Sequence, residues 1–185
     1  DGPAGAGKST IAKRAAEKLS FIYVDTGAMY RAIALGLLRS HTDIADEAAL
    51  NARLAEISVE ISYEDGVQQV YLNGENVSNL IRTEEVSDMT SRSSAIAQVR
   101  AKLTDLQRDL AARENVLMDG RDIGTTILPN AQLKIYLTAS VEVRALRRYK
   151  EYLAKGQKNQ TLAEVEKDVE NRDYRDMHRD VSPLC

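Results

Sequence analysis

The sequence predicts an α/β fold in which a parallel sheet is flanked by helices. Three observations lead there. Residues Gly2-Pro3-Ala4-Gly5-Ala6-Gly7-Lys8-Ser9-Thr10 follow the spacing Gly, four residues, Gly-Lys-Ser/Thr, the pattern of a phosphate-binding loop that opens a helix. Short apolar runs then alternate with helical stripes, as parallel strands joined by crossover helices do. Residues 58–80 interrupt this alternation with hairpin signals, which predicts a small antiparallel insertion beside the main sheet.

Each element follows from its residues. Over 9–19, Ile11, Ala12, Ala15, Ala16 and Leu19 form a helical stripe. The run 21–24 suits a buried strand. It ends in Asp25-Thr26-Gly27 and leads into a second helix through Met29, Ile33 and Leu37. A helix over 47–57 precedes the insertion. There Val59, Ile61 and Tyr63 alternate with polar residues, Glu64-Asp65-Gly66 makes a turn, Val70 and Leu72 alternate again, and Asn73-Gly74 signals a hairpin. Residues 94–113 carry Ile96, Val99, Leu103, Leu106 and Leu110 at helical steps. The run 116–118 is a strand ending at Asp119, and 133–137 is a further strand. Residues 141–153 form a helix with Leu146, Tyr149 and Leu153 inward, broken at Lys155-Gly156-Gln157. Thr161 then opens a last helix, with Glu164 completing a capping box. A phosphate loop normally follows a buried strand and none precedes Asp1, so natural sequence is expected beyond both ends.

Composition narrows the classes. The chain has 185 residues, 43% hydrophobic and 29% charged, enough for one domain with its own core. A net charge of -3 speaks against a general nucleic-acid or membrane-surface binder, and a single Phe without Trp offers little for base stacking. The one cysteine, Cys185, permits no internal disulfide, which fits a reducing, cytoplasmic setting. Neither a membrane span nor a signal peptide is visible. His41 and His178 have no partners at zinc-ligand spacing, and no hydrolase Gly-x-Ser-x-Gly elbow is present.

The chemistry begins at the loop. Gly2, Gly5 and Gly7 let the backbone of Gly2, Pro3, Ala4, Gly5, Ala6 and Gly7 wrap so that N–H groups converge on phosphate oxygens. The following helix presents a positive dipole end to the same anion. Lys8 reaches outer phosphates as a point charge, and the Ser9 hydroxyl, beside Thr10, suits Mg²⁺. Asp119 ends a strand at the carboxyl edge of the sheet, where ligands of open α/β sheets sit. A carboxylate there can hold Mg²⁺ through water. Arg172, Arg175, Asp176 and Arg179 fall at offsets that place them on one helix face, a set suited to polyphosphate or to a solvated face with Arg–Asp pairs. Arg31 beside Tyr30, Arg121, and Arg147 with Arg148 add further guanidiniums near putative sheet ends.

Four segments occur in a telling order: residues 2–10; Asp25-Thr26-Gly27-Ala28-Met29-Tyr30-Arg31; Asp119-Gly120-Arg121-Asp122-Ile123-Gly124-Thr125; and Arg172-Asp173 through Arg175-Asp176 and Arg179 to Ser182-Pro183-Leu184. The chain thereby closely resembles the bacterial cytidylate kinase family over essentially its whole length. The resemblance implies a P-loop NTPase fold with a monophosphate-binding region enlarged by the hairpin insertion and a helical lid. It divides the chain into a core at 1–30, 84–140 and 172–185, a monophosphate-binding region at 31–83, and a lid at about 147–171 centred on 155–159. It implies ATP, Mg²⁺, CMP and dCMP as ligands and a monomer. Carried over by position, Ser91, Arg100 and Asp122 would read cytosine. Arg31, Arg121 and Arg179 would clamp the CMP phosphate. Arg172 and Asp176 would contact ribose, Thr26 and Tyr30 would line the site, and Arg147 or Arg148 would contact ATP.

From the residues alone, two other readings stay open. One is a kinase for UMP, AMP or a small metabolite such as shikimate. The other is a nucleotide-binding module that switches without transferring phosphate, although that module needs only one nucleotide site and gives no use to so many arginines.

Overall fold

A computed structural model describes residues 1–154, 156 and 160–185. The order of elements is α1 (Lys8–Leu19), β1 (Ile22–Asp25), α2 (Thr26–Arg39), α3 (Glu47–Glu56), β2 (Val59–Glu64), β3 (Val67–Leu72), β4 (Glu75–Asn76), α4 (Glu84–Ser93), α5 (Ala97–Arg113), β5 (Val116–Asp119), a π-helical turn (Ile123–Ile127), α6 (Val141–Ala154) and α7 (Leu162–His178). The chain forms two compact units, residues 12–120 and residues 1–11 with 121–185. Among the described residues no helix is long and apolar enough to cross a membrane.

The larger unit, 12–120, contains both sheets. β1 and β5 pair in parallel, with Val24 opposite Met118 and Asp25 opposite Asp119. The connection between them runs through α2–α5 and the antiparallel sheet β2-β3-β4. The core is built on α2. Its Met29, Ile33 and Leu37 recur at four-residue steps, lie fully buried, and pack with Leu50, Val70, Leu72, Val99 and Leu103. Burying such a side chain contributes about 1.5–3 kcal/mol.

The hairpins obey their turn chemistry. Glu64 pairs with Val67 and Leu72 with Glu75, so each loop has two residues. Asp65-Gly66 and Asn73-Gly74 all have positive φ, which is what a type I′ turn requires. This handedness matches the twist of the flanking strands.

The smaller unit is a helical pair next to the phosphate loop. In it, α6 and α7 pack through Val141, Ala145, Tyr149, Tyr152, Val165 and Val169. Thr161 caps α7, and the Thr161 backbone and hydroxyl together hold the Glu164 carboxyl below its usual range. The expected break at Lys155-Gly156-Gln157 lies largely outside the described residues; α6 ends at Ala154 and Gly156 has φ 76°.

Several expectations are corrected. Segment 133–137 is not a strand. Among the described residues it bonds to Asp1, whose nitrogen donates to the Ile135 carbonyl at 2.7 Å and whose carbonyl accepts from Leu137 N at 2.9 Å. Two bonds to one residue have parallel geometry but do not make a ladder. On α6, Leu146 and Leu153 are exposed, and the inward stripe is Val141, Arg144, Ala145, Tyr149 and Tyr152. The steps of four and three from Val141 select that stripe, and Leu146 sits one position, about 100°, off it. Ile11 and Leu19 are likewise exposed while Ala12 and Ala16 are buried. Residues 94–96 belong to the end of α4 and the turn after it, because Ser94 N and Ile96 N bond to Thr90 and Ser93 carbonyls.

Gly74→Ala tests the turn. A Cβ at Gly74 meets nothing within 4 Å, so only the left-handed backbone penalises it. Urea unfolding is expected to show a loss of about 1 kcal/mol; an unchanged midpoint would contradict the type I′ assignment.

Candidate active site

In the larger unit the chemistry gathers where β1 and β5 end. Parallel strands bring both carboxyl ends to one edge, so Asp25 and Asp119 stand opposite each other. The Asp25 carboxylate caps α2 by accepting from Ala28 N at 3.1 Å, and its other oxygen pairs with Arg82 at 2.8 Å. The Gln68 side chain treats the Asp25 backbone as a neighbouring strand would: Oε1 accepts from Asp25 N at 2.8 Å and Nε2 donates to Asp25 O at 3.1 Å. Residue 25 is thereby held through both its N–H and its carbonyl. The Thr26 hydroxyl, 2% exposed, donates to the Asp119 carbonyl at 2.8 Å, while the Asp119 carboxylate accepts from the Tyr23 hydroxyl at 3.1 Å.

Tyr30 and Arg31 follow one turn along α2, and Tyr30 is buried. The Arg100 guanidinium, on α5 and itself buried, lies 5.4 Å from the centre of the Tyr30 ring and donates to the Ser94 carbonyl at 3.0 Å. Ser91, buried on α4, has no hydrogen-bond partner for its hydroxyl among the described residues. A buried hydroxyl in that condition is uncommon in folded proteins.

The phosphate loop belongs to the smaller unit. Gly2, Gly5 and Gly7 all have φ between 75° and 137°. A Cβ at Gly2 would collide with the Leu137 carbonyl, so that position admits glycine alone. Lys8 opens α1 and donates to the Pro3 carbonyl at 2.8 Å. Ser9 and Thr10 follow on the exposed first turn of α1. Arg147 donates to the Gly5 and Ala6 carbonyls at 3.3 Å, whereas Arg148 binds the Tyr152 hydroxyl at 2.6 Å.

Two arginines of this unit, Arg121 and Arg179, are set against carboxylates. Arg121 Nε donates to Asp176 at 3.0 Å, and Arg179 lies 3.7 Å from Asp122 while donating to the Ser182 carbonyl at 2.7 Å. Asp122 and Asp176 are both buried. Pairing of this kind orients a guanidinium that would otherwise sample many rotamers. Arg172 is partly buried on α7 and Arg175 is exposed. The helix ends at His178, so Arg179 is its cap, with ψ 144°, and the expected four-residue helix face is shorter by one.

Four pairs of expected site residues are thus in contact: Thr26 with Asp119, Tyr30 with Arg100, Arg121 with Asp176, and Arg179 with Asp122. Sequence reasoning missed Tyr23, Asp25, Gln68, Arg82 and Arg144. Asp25 had a readable signal, an acid just before a helical stripe. Arg144 had one too, a charge on the inward face of α6.

A glycine loop opening a helix, and a parallel strand pair ending in Asp25 and Asp119, define a P-loop kinase. A family model described as cytidylate kinase matches residues 1–185, and the chain belongs to that family. It is 50% identical over 184 residues to a cytidylate kinase of Lactobacillus gasseri, covering 100% of this chain and 80% of the relative. Cytidylate kinases of Ligilactobacillus salivarius and Halalkalibacterium halodurans are 50% and 48% identical, each with 82% of the relative covered.

The Asp25 cap is testable by urea unfolding. Asp25→Ala should lower stability by about 1–2 kcal/mol, since it strips a helix cap. Arg82→Ala should cost less, on the order of 0.5 kcal/mol, because Arg82 is half exposed. Equal losses would show that the ion pair, and not the cap, carries the position.

Proposed function

We propose that this chain transfers the γ-phosphoryl group of ATP to CMP or dCMP, giving ADP and CDP or dCDP. The observation that carries the reading is the family match across residues 1–185, which includes the loop and every acceptor-side motif. The acceptor oxygen belongs to a phosphate and is already an anion, so the reaction needs no strong base. Catalysis is positioning and charge neutralisation.

The roles follow the chemistry of each residue. Backbone N–H groups of residues 2–10 cradle the ATP phosphates and Lys8 follows their charge. Arg147, already against the loop, and Arg148 take the donor nucleotide. Arg31, Arg121 and Arg179 clamp the CMP phosphate, and Arg172 and Asp176 hold ribose, with Thr26 and Tyr30 alongside. Cytosine presents an amino donor next to two acceptors. Asp122 and the Ser91 hydroxyl suit the first, and the Arg100 guanidinium suits the second. Ser9 and Asp119 offer the hard oxygen donors that Mg²⁺ takes, Asp119 through water. When bound, Mg²⁺ neutralises charge on the phosphates. The core comprises 1–30, 84–140 and 172–185, the monophosphate-binding region 31–83, and the lid about 147–171. The protein works as a cytoplasmic monomer on free nucleotides.

A coupled assay with ATP and CMP, dCMP, UMP, AMP or shikimate tests the reading. CMP and dCMP are expected to be the best acceptors; preference for UMP, AMP or shikimate would overturn it. Lys8→Ala should lower turnover by about 100-fold or more. Arg100→Ala or Asp122→Ala should lower kcat/KM for CMP by about 10- to 100-fold. Unchanged CMP kinetics in both would remove these two residues from base recognition.

A further inference from the structure

The mechanism above leaves one buried charge pair unused. Arg144 lies on α6 and is 3% exposed. Its Nη1 donates to Asp173 Oδ1 at 2.9 Å and its Nη2 donates to the other oxygen of the same carboxylate, a two-pronged pair. Nε donates to the Ala139 carbonyl at 2.8 Å, and Nη1 also reaches the Ala4 carbonyl at 3.3 Å. One guanidinium therefore joins three segments: the turn before α6, α7, and the phosphate loop.

The loop contact has a direction. In a trans peptide the C=O and N–H point opposite ways. Arg144 and Arg147 hold the carbonyls of Ala4, Gly5 and Ala6. The N–H groups of Gly5, Ala6 and Gly7 are then turned away from α6, which is the orientation a phosphate cradle requires. Arg144 also backs the loop sterically, since a Cβ on Gly5 would lie 3.3 Å from the Arg144 Cβ.

The other end of the pair leads to the acceptor-side residues. Asp173 sits one turn before Asp176 on α7. Asp176 accepts from Arg121 through its carboxylate and from Leu184 N through its carbonyl, at 3.0 and 2.8 Å. Hydrogen bonds thus link Ala4 to Asp173 through Arg144 and Asp176 to Arg121, and one turn of α7 joins the two links.

We propose that Arg144 and Asp173 are positioning residues for phosphoryl transfer, the buried pair orienting the Ala4 peptide of the phosphate loop and tying that loop to the turn of α7 that carries Asp176. This rests on the kinase reading. The pair touches no substrate. It sets the relation between the group that holds the transferred phosphoryl and the arginine that meets the acceptor.

Two charge-conserving variants test it. Arg144→Lys keeps the cation and loses the fork; Asp173→Glu keeps the carboxylate and displaces it by one methylene. Amide hydrogen exchange is followed in residues 2–7 and 173–178, with kcat and both KM values measured for ATP and CMP. Both segments are expected to exchange faster together in either variant, by about tenfold or more, while the cooperative melt is retained. The kcat should fall about 10- to 100-fold with each KM within about threefold, because alignment is lost and binding is kept. The double variant should be no slower than the slower single variant. Loosening of one segment alone, a kcat within about twofold of the unsubstituted chain, or multiplied losses in the double variant would overturn the proposal. If Arg144→Lys does not fold, Asp173→Glu decides by the same readouts. If the unsubstituted chain makes no CDP, the kinase reading falls, and the exchange data still decide whether the pair ties loop to helix.

Discussion

In the larger unit the placement of Asp25, Thr26 and Asp119 depends on a parallel ladder of four residue pairs, 22–25 against 116–119. The ladder is short, yet its direction sets the outcome. Two strands running the same way must deliver both carboxyl ends to one edge, and here those ends are Asp25 and Asp119. The Thr26 hydroxyl on the Asp119 carbonyl then closes the end of the ladder at the first residue of α2. A register slip of one residue would turn these groups to the opposite face. The hairpin insertion reinforces the same point, because Gln68 continues the hydrogen bonding of Asp25 where no strand lies. The insertion is thus a support for the start of α2 as well as a covering for its apolar face.

The smaller unit solves a different problem. A net-acidic chain must present several guanidiniums without letting them wander. It does so by giving Arg121, Arg144 and Arg179 fixed carboxylate partners in Asp176, Asp173 and Asp122. A buried pair of this kind is poor evidence of stability, since desolvation offsets much of the attraction. Its physical return is geometry. Arg144, held at both oxygens of Asp173, has few rotamers left; Arg121 is held at one oxygen of Asp176 and Arg179 lies 3.7 Å from Asp122.

Much of this was legible in the sequence. The phosphate loop, the type I′ hairpins and the α7 capping box were readable because each demands particular residues: glycine where φ is positive, Thr and Glu three apart at a helix start. The α2 core stripe was readable because its apolar residues repeat at four. Other features were not. Helix α4 is ten residues of mostly polar sequence, stabilised by the Thr83 cap and by burial of Val86 and Thr90, so it has little apolar period to display. The buried face of α6 was misjudged because apolarity favours Leu146 and Leu153, while the structure buries Arg144 against a carboxylate 29 positions away. Long-range charge pairing leaves no local signature. Segment 133–137 has the composition of a strand, but among the described residues no strand pairs with it.

The central claim is that phosphoryl moves from one nucleotide to another. It is tested most directly by following label from γ-labelled ATP in a quenched reaction with CMP. The account predicts label in CDP, one CDP formed for each ADP, and little inorganic phosphate. Label accumulating as inorganic phosphate, or ATP left intact in the presence of CMP, would contradict it.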